Sequence, residues 1–325
     1  MISARFDTQA MARLRFAISP MIELIASVRT LDDPTRHALH LPWVPEALRN
    51  TRDLDLSPLY ALQSSEIYHP DFVHPLPTGP VADFKEGLAA MRALPPELIR
   101  AELRFAFQEQ PLPDVLRPFV RDPRGSVHGL AELMRSYWDR ALGMHWERIR
   151  SLLEHDVLYR ARQIADGGTT RLFDDLDDAV RLEDGVLYID QCGDVTLNLD
   201  GRGLLLIPSA FVWPKVMVVT APQWQPTLVY PARGAGMLWE PQHPAPPDAL
   251  AKLVGRNRAA LLVALDSPRS TGQLAGMLGV TSGGVSQQLS VLADAGLVRR
   301  RRVQRHVLYL RSLDGDALVA AANAA

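Results

Sequence analysis

Residues 270–312 limit the possible folds of this chain more than any other segment does. The sequence STGQ at 270–273 is a capping box, which opens the short amphipathic helix TGQLAGML. Gly279 follows that helix at the position where a left-handed C-cap is expected, and Thr281 can cap a second helix, SGGVSQQLSVLADAG. Two capped helices separated by so short a turn predict a helix-turn-helix.

The second helix has one apolar face and one small, polar face. Val285, Leu289 and Leu292 are spaced i, i+4 and i+7 and are predicted to face the core. The opposite face carries small or amide side chains, namely Ser282, Gly283, Ser286, Gln287 and Ser290. Such a face lets a helix lie deep in the major groove of DNA, where Gln pairs with an adenine edge. The competing interpretation is a plain helical hairpin, but an ordinary solvated helix carries Glu or Lys on its outer face.

A strongly cationic segment, LVRRRRVQRHVLYLRS at 297–312, comes directly after this helix. Its β-branched and aromatic residues predict two strands joined by a turn near Gln304-Arg305. Five arginines lie on or near this hairpin: Arg299, Arg300, Arg301, Arg302 and Arg305. A wing of this kind contacts the phosphate backbone or reaches into the minor groove, where Arg is favoured. After a helix-turn-helix, the hairpin predicts a winged helix that binds double-stranded DNA.

The charge distribution along the chain agrees with this interpretation. Residues 250–325 contain ten Lys and Arg against four Asp, which gives a net charge of +6. Because the whole chain has a net charge of −2, the remaining residues carry −8. The sequence PAPPDAL at 244–250 predicts a linker running into a helix, and another helix is expected from Arg256 to about Leu265. We therefore place a DNA-binding domain at 248–325, behind a larger domain at 1–245.

Residues 248–313 resemble the ArsR-type family of winged-helix repressors. The resemblance rests on L-A-x-x-L-G-V-T before the turn, V-S-Q-Q-L-S-V-L in the second helix and A-G-L-V leading into the wing. It implies a homodimer that reads a palindromic operator, with repression as the family habit. By position, the main residues predicted to read bases are Ser282, Gly283, Ser286 and Gln287. Gln288 is a secondary candidate, because it lies nearer to the core. Thr271, which opens the first helix, and the outward Ser290 complete the predicted DNA contacts of the two helices.

Two departures from that family concern metal sensing. Its metal-sensing members carry cysteines in the helix before the turn, or Asp and His in a long final helix. Here TGQLAGML has no Cys, His or acidic residue, and the tail SLDGDALVAAANAA is short, alanine-rich and without His. We therefore expect no metal sensing through those sites, and we expect the tail to be too short to hold a dimer alone.

Residues 1–245 combine helical and sheet patterns. Helical periodicity dominates up to residue 178, and RFAISPMIELIASVRTL at 15–31 predicts a short strand followed by a helix that opens at Ser19-Pro20. Over residues 180–240, short apolar runs alternate with DG, GD and DGRG turn signals, which favours an antiparallel sheet. The fold class is therefore α+β: a mixed helical and antiparallel-sheet N-terminal domain followed by a C-terminal winged helix-turn-helix domain.

The N-terminal region also resembles the corresponding half of large ArsR-type regulators from high-GC bacteria. That resemblance rests on RFAISPMIELIASVR, LLLIPSAFVWPKV and PTLVYPARGAGMLWE. The half has no assigned biochemical role, so the resemblance supports a regulator without naming its signal.

The sequence contains little that supports an enzyme or a metal centre. His37 with His40 and His69 with His74 have spacings that a metal could use, but no acidic or cysteine pattern accompanies them, so we expect ordinary surface histidines. Cys192 is expected to be a buried small residue, because the aspartates near it disfavour a thiolate. Neither a phosphate-binding loop nor a nucleophile elbow is present. We predict no enzymatic activity, no cofactor and no resident metal.

Seven aromatic residues of the N-terminal domain are candidates for an apolar pocket that binds a small, non-metal effector. They are Trp138, Trp146, Phe211, Trp213, Trp224, Tyr230 and Trp239. Two alternatives stay open: the residues fill the core, or the domain is a dimerisation or protein-partner module without a ligand. A cluster around an interior cavity favours the pocket, and an exposed cluster favours the interface.

The sequence also predicts where the protein acts. The N-terminal residues MISARFDTQAMARLRF lack the apolar stretch of a signal peptide. No apolar run reaches about 18 residues, so we expect no membrane span. A cytoplasmic protein in the same compartment as its DNA is the expectation.

Overall fold

The computed structural model describes residues 1–65, 68–191, 194–199, 201–239, 247–266, 268–278, 280–303 and 306–323. The chain divides into two units, Met1–Trp239 and Glu240–Ala325. Some residues discussed above lie outside the described ranges: Cys192, Gly279, Gln304 and Arg305. Within those ranges, no helix is long and apolar enough to cross a membrane.

The first unit is largely helical over residues 8–174. Its helices are α1 (Thr8–Ala12), α2 (Pro20–Asp32), α3 (Val44–Thr51), α4 (Ser57–Leu62), α5 (Phe84–Arg92), α6 (Pro96–Ala106), α7 (Arg117–Arg121), α8 (Pro123–Tyr137) and α9 (Trp146–Asp174). Most residues of α2 are buried. It begins as predicted, with Pro20 in its first turn and the Ser19 hydroxyl accepting a hydrogen bond from the backbone N–H of Ile22 at 3.3 Å.

α9 connects the helical part of the first unit to its sheets. α8 leads into a π-helical segment, Trp138–Leu142, and α9 follows after one short turn. α9 is broken at Gly167 and Gly168, and only a glycine tolerates the φ of 70° at Gly168. Before the break, α9 packs into the helical core, and after it Leu172 and Phe173 pack against sheet residues.

Two four-stranded sheets complete the first unit, with strand orders β3-β4-β1-β5 and β2-β6-β8-β7. The strands are β1 (Ile2–Arg5), β2 (Arg15–Phe16), β3 (Val180–Glu183), β4 (Val186–Ile189), β5 (Val195–Leu197), β6 (Leu205–Ser209), β7 (Met217–Val219) and β8 (Thr227–Pro231). The predicted α+β class, with a mixed helical and sheet N-terminal region, is confirmed.

The pairing within these sheets differs from the predicted antiparallel arrangement. β1 pairs parallel with β5, and β6 pairs parallel with both β2 and β8. β1 comes from a region predicted to be mainly helical, and β2 is the short strand predicted before α2. Turn signals over 180–240 carry no information about strands that join a sheet from the N-terminus. β6 is buried along its whole length, which is typical of a central strand covered on both faces.

The second unit consists of helices and a small sheet with strand order β10-β11-β9. Its elements are α10 (Asp248–Val254), α11 (Arg256–Ala264), β9 (Arg269–Ser270), α12 (Thr271–Leu278), α13 (Ser282–Asp294), β10 (Val298–Val303), β11 (His306–Arg311) and α14 (Leu313–Asn323). The helix-turn-helix and the wing are present as predicted. The sequence did not indicate β9, or a helix in the tail, where α14 packs against α10 and α11 and buries Val319.

The prediction that the paired histidines lie on the surface is wrong. His37, His40 and His74 are only 5, 0 and 1% exposed, and His69 is half-buried. An imidazole ring can be buried when it is neutral, and burial lowers the pKa of His40, His69 and His74 to about 4. No group of three or more metal-ligating side chains occurs among the described residues.

Candidate nucleic-acid interface

α13 is held in the second unit by its apolar face. Val285, Leu289 and Leu292 are 1, 0 and 1% exposed and pack in the core of the unit. Thr281 caps the helix as predicted, with its Oγ1 accepting a hydrogen bond from the Gly284 N–H at 3.2 Å. Burial of three residues on one side fixes which residues face outward.

The predicted main groove readers share the outer face of α13. Five residues are exposed there: Ser282, Gly283, Ser286, Gln287 and Ser290. Gln288 is half-buried, and its Oε1 accepts a hydrogen bond from Arg258 Nε at 2.8 Å. Thr271 is half-buried at the first position of α12. The outer face therefore presents hydroxyl, amide and backbone groups from Ser282 to Ser290, and Asp294 is an exposed charged residue at the C-terminal end of the same helix.

The wing presents four arginines from one strand. β10 and β11 pair antiparallel from Val298↔Arg311 to Val303↔His306. All four arginines are exposed, and none forms a side-chain hydrogen bond or an ion pair within the described part of the chain: Arg299, Arg300, Arg301 and Arg302. Successive side chains of a strand point to opposite faces, so the guanidinium groups extend from both sides of the hairpin.

A different arginine, Arg311, fixes the base of the wing. Its Nη1 donates to Leu262 O at 3.0 Å, and its Nε donates to Asp316 Oδ1 at 2.6 Å. Next to it, the Ser312 hydroxyl donates to Gly296 O at 2.6 Å. These contacts tie β11 to α11, to α14 and to the end of α13. Sequence reasoning did not identify them, because each partner lies in a different element.

The seven candidate pocket residues of the first unit lie in different places. Phe211 and Trp239 are in contact, at a centroid distance of 6.0 Å, and both pack on Trp43. Trp224 Nε1 donates to Glu102 Oε1 at 2.7 Å, and Tyr230 Oη donates to Asp156 Oδ2 at 2.7 Å. Trp213 is half-buried in the loop after β6. The remaining two, Trp138 and Trp146, are in contact and line a cavity of about 570 Å³.

Three buried carboxyl groups are further polar features of the first unit. Burial raises the pKa of Glu23 to about 7 and that of Asp71 to about 8, and it also raises the pKa of Glu102. Each accepts a hydrogen bond from the protein: Glu23 from the Ala210 N–H at 3.0 Å, Asp71 from the Tyr68 hydroxyl at 2.6 Å. Glu102 accepts from Phe72 N–H and Trp224 Nε1. Their hydrogen bonds join separate segments of the fold, which accounts for their burial.

Comparison with known protein families gives two matches. Residues 256–300 match the family described as bacterial regulatory protein, arsR family, and this range covers α11, α12, α13 and the start of β10. Residues 92–236 match a family of unknown function, DUF5937. No match was found among curated proteins or among solved structures. The predicted resemblance to arsR-type regulators with a large N-terminal domain of unassigned role is confirmed.

Proposed function

Because residues 256–300 form the helix-turn-helix of the arsR family of bacterial regulatory proteins, we propose that this DNA-binding regulator is a sequence-specific transcriptional repressor. α13 reads base edges in the major groove through its outer face, and Gln287 is the reader with the best match to adenine. The wing arginines contact the phosphate backbone or the minor groove. The observation that carries the proposal is the uncharged outer face of α13 over residues 282–290, next to four exposed arginines that form no ion pair with any described residue.

We propose that the protein binds its operator as a homodimer. A palindromic site presents two half-sites, and two copies of α13 reach them when they are spaced by one DNA turn, about 34–36 Å, or by a multiple of it. Exposed leucines on α10 and α14 support a dimer contact in the second unit, and the larger first unit contributes to it as well. Such a regulator works in the cytoplasm, where its DNA lies.

We further propose that the first unit senses a small, non-metal molecule and has no enzymatic role. The cavity beside Trp138 and Trp146 supports this, because aromatic and charged side chains line it together. Ligand binding shifts the relative placement of the two winged helices in the dimer and lowers operator affinity. The alternative is a first unit that only dimerises or binds a protein partner. It is supported by the positions of the five other candidate pocket residues, which do not line this cavity.

The experiment that tests this function is a binding titration with the DNA upstream of the protein's own gene, at several salt concentrations and with random competitor DNA. Tight, competitor-resistant binding with a steep salt dependence is expected. Binding no tighter than to random DNA would favour a winged helix used for protein contacts. A variant with Gln287→Ala shows whether the observed preference depends on α13.

A further inference from the structure

The cavity in the first unit has an aromatic wall. Phe84 and Trp138 stack with ring centroids 4.2 Å apart and ring planes 14° from parallel. Trp146 lies against Trp138 with a centroid distance of 5.2 Å and an interplanar angle of 59°. Leu88 adds an apolar side chain to the lining of this cavity of about 570 Å³. Its size suits a small organic ligand, and aromatic residues in the lining favour a flat one.

Two hydrogen-bond donors on this wall have no partner in the protein. Among the residues that the structure describes, no acceptor is bonded to Nε1 of Trp138 or of Trp146, although Trp138 is only 8% exposed. Elsewhere in the unit, the indole N–H groups of Trp43, Trp224 and Trp239 donate to a carbonyl, a carboxylate and an imidazole nitrogen. Both indole N–H groups therefore belong to residues of the lining and have no acceptor among the described residues.

The lining of the cavity contains three cationic side chains and two acidic ones. Lys85, Arg135 and Arg150 line it, against Asp83 and Asp139. Asp83 is already used as the N-cap of α5, with its Oδ1 accepting the backbone N–H of Lys85 at 2.8 Å. Lys85 forms no ion pair within the described ranges. Lys85 is therefore a cation of the lining without an ionic partner in the described part of the chain.

The ion pairs of the two arginines leave them able to bind a ligand anion. Glu132 is shared between Arg135 and Arg92, so one carboxylate serves two guanidinium groups. Arg150 pairs with Glu154 at 2.8 Å, and both side chains are more than 40% exposed. Exposed ion pairs of this kind contribute about 0–1 kcal/mol, so an anion held by other contacts can replace them.

We propose that this cavity binds a flat organic anion, an aromatic or conjugated acid. Its ring lies against Phe84, Trp138 and Trp146, and its acidic group accepts hydrogen bonds from the free indole N–H groups and faces Arg135 and Arg150. The inference rests on the proposed sensing function, because it names the chemical class of the effector. The anion would supply an acceptor for these donors and a negative charge beside Lys85, Arg135 and Arg150.

The test uses two probes, 8-anilinonaphthalene-1-sulfonate and N-phenyl-1-naphthylamine, which share a ring system and differ in the sulfonate. Each is titrated into the full-length protein and followed by its fluorescence. We expect one site per chain for the sulfonate probe. In the double variant Arg135→Met, Arg150→Met its affinity falls about tenfold, whereas the affinity of the neutral probe is unchanged. Trp146→Leu weakens both probes, because both use the aromatic wall.

Matched variants elsewhere in the unit serve as controls. Arg162→Met on α9 and Trp239→Phe lie outside the lining and should bind both probes as the unsubstituted protein does. If the double arginine variant binds the sulfonate probe with unchanged affinity, or if several probe molecules bind regardless of Trp146, the inference is overturned. If Trp146→Leu fails to fold, the double arginine variant tests the inference by itself, because the side chains of Arg135 and Arg150 are partly exposed and their substitution should not prevent folding.

Operator binding is measured on the same preparations to separate the two proposals. Sequence-specific DNA binding without a probe site would overturn the cavity assignment and leave the DNA-binding function in place. A probe site with the expected charge dependence, but without operator binding, would remove the repressor function and retain the cavity.

Discussion

At the residue scale, Gln287 and Gln288 differ in what their amides are free to bind. Gln287 is exposed on the outer face of α13, whereas the Oε1 of Gln288 accepts a hydrogen bond from Arg258 at 2.8 Å. A bidentate contact with adenine uses both ends of the amide. We therefore expect Gln287→Ala to lose about 1–3 kcal/mol on the operator and to relax base preference, measured by competition between operator and random DNA.

Gln288→Ala is the matched control, because it removes the same side chain one position away. A clearly smaller loss of discrimination is expected from it. If Gln287→Ala retains full discrimination between operator and random DNA, the assignment of the groove-reading face is wrong.

The wing arginines act by charge. Arg301 is exposed and has no ion pair within the described part of the chain. We expect Arg301→Ala to weaken binding to all sequences alike and to reduce the slope of log affinity against log salt by about 0.9, the value for one phosphate. Arg302→Ala should behave in the same way. Arg162→Ala, an exposed arginine of the first unit, should leave the slope unchanged. A loss of base discrimination without a change in slope would instead make Arg301 a base reader.

His40 is buried as a neutral ring with both nitrogens bonded. Its Nε2–H donates to Ala210 O at 3.0 Å, and its Nδ1 accepts a hydrogen bond from Trp239 Nε1 at 2.8 Å. The ring also stacks on Phe211 at 4.2 Å. Burial lowers the pKa of His40 from 6.5 to about 4. A proton on Nδ1 would break the hydrogen bond from Trp239, which opposes protonation further.

The sign of the resulting pH dependence follows from this lowered pKa. Between pH 6.5 and about 4 the unfolded chain binds a proton at His40 that the folded chain does not. The contribution of His40 to the free energy of unfolding is therefore complete above pH 6.5 and falls by roughly 3 kcal/mol as the pH drops to about 4. NMR titration of the ring checks this. Trp239→Phe should raise the pKa of His40, because it removes the hydrogen bond to Nδ1. Titration of His40 near pH 6.5 in the unsubstituted protein would contradict the prediction.

At the element scale, the backbone of α14 closely approaches the backbone of Leu297, the residue directly before β10. A Cβ on Gly315 would lie 2.2 Å from Leu297 O. The Gly315 N–H also donates to Ser312 Oγ at 3.1 Å, which fixes the start of the helix. Gly315→Ala must therefore move α14 away from the hairpin. We expect it to lower the free energy of unfolding of the second unit by about 1–3 kcal/mol, measured by thermal or urea unfolding.

Gly283→Ala supplies the control for this prediction. A Cβ there has nothing within 4 Å, and alanine favours helix more than glycine does, so a gain of up to about 1 kcal/mol is expected. The added methyl group lies on the outer face of α13 and should weaken DNA binding. A Gly315→Ala protein as stable as the unsubstituted one would contradict the close approach.

Elements set by local patterns could be predicted from the sequence, and elements set by distant partners could not. The 3.6-residue period of Val285, Leu289 and Leu292 is sufficient to place α13 and its outer face. β9 is two residues long and exists because Leu308 and Tyr309 pair with it. α14 depends on contact with α10 and α11, and its own sequence contains glycine and few large apolar residues.

The same distinction holds for the cavity. Trp138 and Trp146 were candidates because aromatic residues often line pockets, and the π-helical segment between α8 and α9 brings them together. Phe84 and Lys85 were not candidates, since they lie more than 50 residues earlier in the chain and carry no local signal. The charge that distinguishes a flat anion from a neutral ligand comes from residues that only the tertiary fold places side by side.

At the scale of the whole molecule, operator affinity depends on how many copies bind. A palindrome requires two copies of α13, and linked half-site contacts strengthen each other by a factor of about 100 or more. The most exposed large apolar side chains in the described part of the second unit are Leu313 and Leu253, at 81 and 69%. They lie on α14 and α10, which pack against each other. Their exposure is unfavourable in a monomer and is relieved if a second copy covers them.

We therefore expect the double variant Leu253→Glu, Leu313→Glu to sediment as a monomer and to lose about 100-fold in affinity for the full palindrome, while its affinity for a half-site is unchanged. Leu158→Glu makes the same change at a 59% exposed leucine of α9 in the first unit. If the second unit holds the dimer, the Leu158→Glu variant stays dimeric. If the Leu158→Glu variant dissociates, the first unit supplies a necessary dimer contact. A double variant that remains dimeric with full operator affinity would show that α10 and α14 face solvent in the dimer, and their exposed leucines would then need another partner.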